Sequence, residues 1–158
     1  MSFPRQVNTQ PAIGVPGDFA SINPRATALG GFNQFVAGPE GVSVGSFCWL
    51  DAVNSNEVHN FGTGPVLGFV GRFGLSADIF TPGPGNPDAS FVIPGGQPVT
   101  VYSAGDFLVV NNGSAPTTVF PQLKAYANND TGLVSFAATR TPAILSPICR
   151  ARVTAART

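Results

Sequence analysis

The chain has 158 residues, the size of a single domain, and 43% of them are apolar, which is enough for a sizeable core. Only 10% of the residues are charged, against a usual share of roughly 25%, and the 8 basic side chains balance the 8 acidic ones. This balance argues against a nucleic-acid partner, which would need a strongly basic surface, and favours a subunit that covers part of its surface with partners. The sequence shows no signal region and no apolar run near the ~20 residues of a membrane helix, so we expect no membrane partner and a protein made in the cytosol.

The first 38 residues combine apolar side chains with Pro and Gly but follow neither a helix period nor a strand period. We predict that residues 1–38 form an extended arm outside the folded body. Pro24 pushes Asn23 towards extended geometry and so sets the direction of the arm. Two placements are open: the arm docks on a neighbouring molecule, which the composition favours, or it folds back and covers an open face of its own sheet.

The residues that follow the arm are predicted to form strands, because Gly or Pro interrupts almost every window in which a helix could form. The first strand signal is "GVSVGSFCWLDAV" at 41–53, where the side chains alternate between two faces. Cys48 points to one face, and Phe47 and Trp49 point to the other. An apolar run with glycines at 64–74 is typical of a strand with a bulge.

Further strands are predicted at 90–93, 98–103, 106–111, 123–127 and 133–138. Turn residues recur about every 8–12 residues, a spacing typical of sandwiches and barrels. Strands and helices do not alternate, which excludes a parallel sheet with crossover helices. The predicted fold of residues 39–138 is therefore all-β: an antiparallel β-sandwich or a jelly-roll-like barrel, with a loop at 81–89.

Residues 139–158 are predicted to form an irregular C-terminal tail that packs on the body or on a partner. No acidic residue follows Asp130, whereas four arginines do: Arg140, Arg150, Arg152 and Arg157. Without stacking aromatic residues these arginines are a weak footprint for nucleic acid. We expect them to pair with a partner's carboxylates or to lie in solvent.

Residues suited to catalysis or metal binding are sparse. His59 is the only histidine, and Cys48 lies in an apolar strand, the setting of an inert thiol. Cys48 and Cys149 are expected to be free and buried, with a disulfide between them as the alternative, and neither has the spacing of a zinc site. The carboxylates are scattered through turns, and nothing suggests a facing pair for glycoside hydrolysis. The residues therefore indicate no recognisable catalytic site and no metal site.

Five blocks of the sequence occur in the same order in one protein family. They are "VPGDFASINPRA" (Val15–Ala26), "FVAGPEGVSVGSFCWLD" (Phe35–Asp51), "VLGFVGR" (Val66–Arg72), "PVTVYSAGDFLVVNNG" (Pro98–Gly113) and "KAYANNDTGLVSFAA" (Lys124–Ala138). With these blocks the chain resembles the structural cement proteins, also called capsid decoration proteins, of tailed bacteriophages.

The resemblance implies a β-sandwich or jelly-roll-like body on the outer face of the capsid in the virion. It implies a homodimer or homotrimer that bridges neighbouring capsomers, with the major capsid protein as partner, and neither enzymatic activity nor a cofactor. On this interpretation the arm supplies the capsid-binding residues, which are Phe19, Ile22, Pro24, Arg25, Phe32 and Phe35. Phe19 and Ile22 would be apolar anchors, and Arg25 would pair with a carboxylate of the coat.

A virion fibre, or a receptor- or carbohydrate-binding β-module, is the alternative function. It would need an exposed aromatic platform, for which Trp49 and Tyr102 are the candidates. Packing of Trp49 in the core or in an oligomer seam is the competing interpretation. A glycan-hydrolysing β-protein is the third hypothesis.

Overall fold

The computed structural model describes residues 14–30, 34–72, 91–112, 123–137, 145–147 and 152–155. Within these residues the chain forms strands and no helix, so the predicted all-β class is confirmed. No described segment forms a helix of the length and apolarity that a membrane crossing requires. The predicted loop at 81–89 lies outside the described residues.

The strands are short. They are β1 (Ala26–Thr27), β2 (Val36–Ala37), β3 (Val42–Ser43), β4 (Phe47–Leu50), β5 (Glu57–His59), β6 (Gly68–Val70), β7 (Val92–Ile93), β8 (Val101–Ala104), β9 (Asp106–Val109), β10 (Lys124–Asn128), β11 (Val134–Ala137), β12 (Leu145–Pro147) and β13 (Arg152–Ala155).

Six strands form a central sheet in the order β1-β8-β6-β4-β5-β2. A three-stranded sheet, β11-β10-β12, and the pairs β9–β13 and β3–β7 complete the described sheets. Most neighbours are antiparallel, as predicted, but β2–β5 and β9–β13 are parallel. A purely antiparallel fold is therefore a wrong prediction for these two pairs. Their partners are far apart in sequence, and such long connections allow parallel pairing.

The central sheet is buried on both faces, because successive side chains of a strand point in opposite directions. Cys48 packs into a first cluster on one face, and Phe47 and Trp49 pack into a second cluster on the other, which confirms the predicted alternation. The first cluster consists of Phe35, Ala37, Val42, Val44, Cys48, Val58, Val70, Ile93, Val99 and Val101. The second consists of Phe47, Trp49, Phe69, Tyr102, Phe107, Val109, Ala127, Val134 and Phe136. Among the described residues the buried side chains thus form two clusters, one on each face of the central sheet.

The predicted strand at 41–53 is broken into β3 and β4 by a tight turn. Gly45 has a φ of 82°, which favours glycine, and its N–H donates to the carbonyl of Val70 over 2.8 Å. A Cβ there would lie 2.8 Å from the Pro16 side chain. The break sends β3 to β7 and leaves β4 in the central sheet, a long-range outcome that the local alternation does not reveal.

Asn60 joins the segments on either side of this break. Its Oδ1 accepts the N–H of Ser43 at 2.5 Å, and its Nδ2 donates to Ser46 Oγ at 2.7 Å and to the Phe47 carbonyl at 3.1 Å. Three hydrogen bonds from one side chain thus fix the start of β4 against the end of β5.

The N-terminal segment folds back on its own body over residues 14–30 and 34–38, which is the second of the two predicted placements. It runs beside β9, where Gly17 N–H donates to the Leu108 carbonyl and Leu108 N–H donates to the Asp18 carbonyl, both over 2.9 Å. It then becomes β1 at the edge of the central sheet. Residue 38 therefore does not separate an arm from a body in the described structure.

The C-terminal tail was predicted to be irregular, and this is wrong for two stretches. β12 pairs with β10, and β13 pairs in parallel with β9. Both stretches form strands because they pair with the edges of sheets that distant residues form. Such tertiary pairing cannot be predicted from the local sequence.

Candidate docking surface

Residues 19–25, which we call the Ile22 loop, lie between the segment beside β9 and the start of β1. Phe19 fixes the base of this loop against the second cluster. Its ring centroid lies 5.4 Å from that of Tyr102 in an edge-to-face arrangement and 5.3 Å from that of Phe107. These contacts make Phe19 an anchor within its own chain.

Asp106 holds the middle of the Ile22 loop. Its Oδ2 accepts a hydrogen bond from Ser21 Oγ and another from Asn23 Nδ2, each over 2.7 Å. The Asn23 N–H also donates to Ser21 Oγ at 3.1 Å. Ile22 stands between the two clamped residues and is fully exposed, at 103%. An apolar side chain is thus presented to solvent on a loop whose shape is already set.

The end of the loop carries a positive charge. The Arg25 guanidinium lies 4.1 Å from the centroid of the Phe19 ring, a cation–π contact, while the residue as a whole is exposed. Pro24 beside it is also exposed. Residues 19–25 together line a shallow depression of about 690 Å³.

The six residues predicted to bind a capsid have different positions. Ile22, Pro24 and Arg25 are exposed and lie together on the Ile22 loop, and Phe19 is partly buried beneath them. Phe35 is 5% exposed and belongs to the first cluster, so it is not available to a partner in this fold. Phe32 lies outside the described residues.

A second exposed apolar side chain stands on the hairpin formed by β4, β5 and the turn between them, which we call the Val53 hairpin. Val53 is 88% exposed. Asp51 Oδ1 accepts the N–H groups of Val53 at 2.8 Å and Asn54 at 2.7 Å, and these bonds lower the pKa of the Asp51 carboxyl. Val53 is not among the residues predicted from the sequence to bind a partner. The sequence signal for its turn is Asp51, which stands three residues before Asn54.

His59 lies at the base of the Val53 hairpin. Its Nε2 is 3.6 Å from Asp51 Oδ2 and 3.4 Å from Glu57 Oε1, and its side chain is 11% exposed. Its buried Nδ1 has no hydrogen-bond partner among the residues that the structure describes. The ring also packs on Phe61, with the centroids 4.9 Å apart. The histidine is thus a packed residue whose ring lies between two carboxylates and an aromatic ring.

Cys48 and His59 do not form a reactive pair. His59 is opposite Trp49 across the β4–β5 ladder and so shares its face, whereas Cys48 points to the other face. Cys48 is a free, buried thiol, as predicted, and burial raises its pKa to about 12. A thiol of that pKa is neutral and not nucleophilic near pH 7. Cys149 lies outside the described residues.

The described residues show no metal cluster and no exposed aromatic platform at the predicted positions. No three His, Cys, Asp or Glu side chains among them are grouped so as to hold a metal ion. Trp49 is 2% exposed and Tyr102 is 4% exposed. Core packing is therefore the correct interpretation of Trp49, and neither aromatic residue can bind a glycan by stacking in this fold.

Within the described residues the fold is all-β, and loops held by aspartates expose single apolar side chains. These features are typical of a structural protein that binds other proteins. A family model described as XM1 gp53 minor capsid protein matches residues 3–157, and the chain belongs to this family. No curated protein matches the chain. The predicted membership of a phage capsid-associated structural family is confirmed, and with it a structural role in the capsid and a location in the virion. Such a role also suggests that the protein is not an enzyme.

Proposed function

We propose that this chain is a cement protein, which binds the outer surface of the assembled phage head and bridges neighbouring capsomers. The observation that carries the proposal is the Ile22 loop. Asp106 holds this loop by two hydrogen bonds, and Ile22 at its tip is fully exposed. The family places the protein in a capsid, where neighbouring proteins can cover such a side chain. An exposed apolar side chain on a preformed loop favours binding, because little conformational entropy is lost on contact.

Cementing by such a protein is a mass-action effect. A protein that binds the assembled shell, and not its separate subunits, shifts the equilibrium towards the shell. The major capsid protein is the partner, and Arg25 beside Ile22 pairs with one of its carboxylates. Self-association as a homodimer or homotrimer would let one assembly touch two capsomers at once. Nucleic acid is not part of the proposed contact.

The test uses phage heads that lack this chain. Purified protein is added back, and the heads are imaged by cryo-electron microscopy and heated until the genome is released. We expect density on the outside of the shell that touches two capsomers, and a higher release temperature than for untreated heads. Density inside the shell, density on a single capsomer, or an unchanged release temperature would contradict the proposal.

A further inference from the structure

The topology places the Ile22 loop and the Val53 hairpin at the same end of the central sheet. Strands β4 and β8 run towards this end, and β1, β5 and β6 run away from it, as their antiparallel pairings require. The Ile22 loop precedes β1, and the turn of the Val53 hairpin follows β4. Both therefore project from one surface, which we call the end face.

The spacing of the two projections follows from the strand order. β1 lies three strands from β4 and four from β5. With neighbouring strands about 4.8 Å apart, the two loops stand roughly 14–19 Å apart. The stretch Thr63–Pro65, which is also exposed, approaches the same end, since Gly64 accepts a hydrogen bond from Trp49 Nε1 at 3.4 Å.

The two loops are built alike. In each, one aspartate bonds to the residues around an exposed apolar tip: Asp106 holds Ser21 and Asn23 beside Ile22, and Asp51 holds the backbone at Val53. Both tips are therefore presented at a fixed spacing. Two rigid projections fit a folded surface with two recesses better than they fit a flexible peptide.

The charged groups around the two tips differ. Arg25 and the Asp106 carboxylate both lie beside Ile22, whereas Asp51 and Glu57 lie with His59 at the base of the Val53 hairpin. A partner that matches both arrangements would bind in a single orientation. The occupant that fits these two projections is a coat-protein shell, because the family places this chain in a capsid and a shell is a folded surface that offers the same recesses at every equivalent position.

We propose that the end face, with Ile22 and Val53 as its two anchors, is the surface that docks on the coat-protein shell. This inference rests on the proposed function. It adds Val53 as a second contact and fixes which end of the protein faces the shell.

The test measures binding of the full chain to shells assembled from the coat protein alone, by co-sedimentation. The variants are Ile22→Asp, Val53→Asp and the double variant. Leu29→Asp is the matched control, because Leu29 is 88% exposed but follows β1 at the opposite end of the sheet. The three substituted positions are outside both cores, and circular dichroism checks that each variant is folded. Sedimentation velocity of each protein without shells reports self-association.

We expect each single variant to weaken binding at least tenfold, the double variant to weaken it further, and Leu29→Asp to bind like the wild type. Wild-type protein that does not sediment with the shells would overturn the proposed function itself. Wild-type binding that is unchanged in the Ile22 and Val53 variants would overturn the end face alone. An effect of Ile22→Asp without one of Val53→Asp would refute the second anchor. A dimer that both variants dissociate, with shell binding unchanged, would assign the end face to a second copy.

Discussion

Replacing Asp106 by Ala removes the acceptor that holds both Ser21 and Asn23. Buried hydrogen bonds to a charged acceptor contribute about 1.5–3 kcal/mol each, but one of these two is exposed and the other is partly buried. Discounting for solvent gives about 0.5–1 kcal/mol per bond, so we expect Asp106→Ala to lower the free energy of unfolding by about 1–2 kcal/mol. Asp106→Asn keeps an amide oxygen as acceptor and should lose about half as much.

Urea denaturation measures the loss, and amide hydrogen exchange locates it. We expect faster exchange within residues 20–25 and unchanged exchange in β4 and β6. Binding to capsid shells should also weaken several-fold, because a loosened Ile22 loop must be ordered on contact. Asp130→Ala removes the same charge from the exposed β10–β11 turn and is the matched control. If Asp106→Ala changed neither the unfolding free energy nor the exchange of the loop beyond the control, the clamp would not exist as described.

Three further predictions concern the body. Asn60→Ala should lower the free energy of unfolding by about 2–3 kcal/mol, because three hydrogen-bonding groups lose their partner. Urea denaturation measures this loss, with the exposed Asn112→Ala as the control. An equal loss of unfolding free energy in the two variants would contradict the prediction. Because hydrogen bonds lower the pKa of Asp51 below 3.8, its stabilising effect is complete above about pH 4 and is lost as the pH falls through the lowered value. Proton NMR of the turn amides should show this loss in the wild type and not in Asp51→Asn. The Cys149→Ser variant leaves Cys48 as its single thiol. This thiol should stay unreactive to a thiol reagent at pH 8 until the protein unfolds, because burial raises its pKa to about 12. Rapid labelling of the folded variant would refute the burial of Cys48.

The parts of the fold that depend on neighbouring residues could be predicted from the sequence. The alternation of Phe47, Cys48 and Trp49 assigned these side chains to opposite faces, because a strand has a period of two. Turn residues also located the later strands to within a few positions. A turn at Gly105 separates the strands predicted at 98–103 and 106–111, although the sequence did not show that this turn sends β9 out of the central sheet.

The parts that depend on distant residues could not be predicted. The fold-back of the N-terminal segment requires an open edge on β8 and another on β9, and neither is visible in residues 14–30 themselves. Phe35 looked like an arm residue because its burial depends on Val99 and Val101, far along the chain. The same limit applies to the candidate site. Ile22 was predicted as an anchor on an extended arm, but the sequence did not show the loop that Asp106 holds, and Val53 became a candidate only when strand order placed it at the same end.

Among the described residues, side chains cover both broad faces of the central sheet, which leaves its two ends for contacts with other molecules. The end with Ile22 and Val53 meets the shell in our proposal, and the end with Leu29 then faces the medium around the virion. In that orientation, a passenger peptide inserted after Leu29 would be displayed outward at a regular spacing set by the capsid, away from the proposed contact with the shell. The same insertion in the turn of the Val53 hairpin would detach the protein from the head.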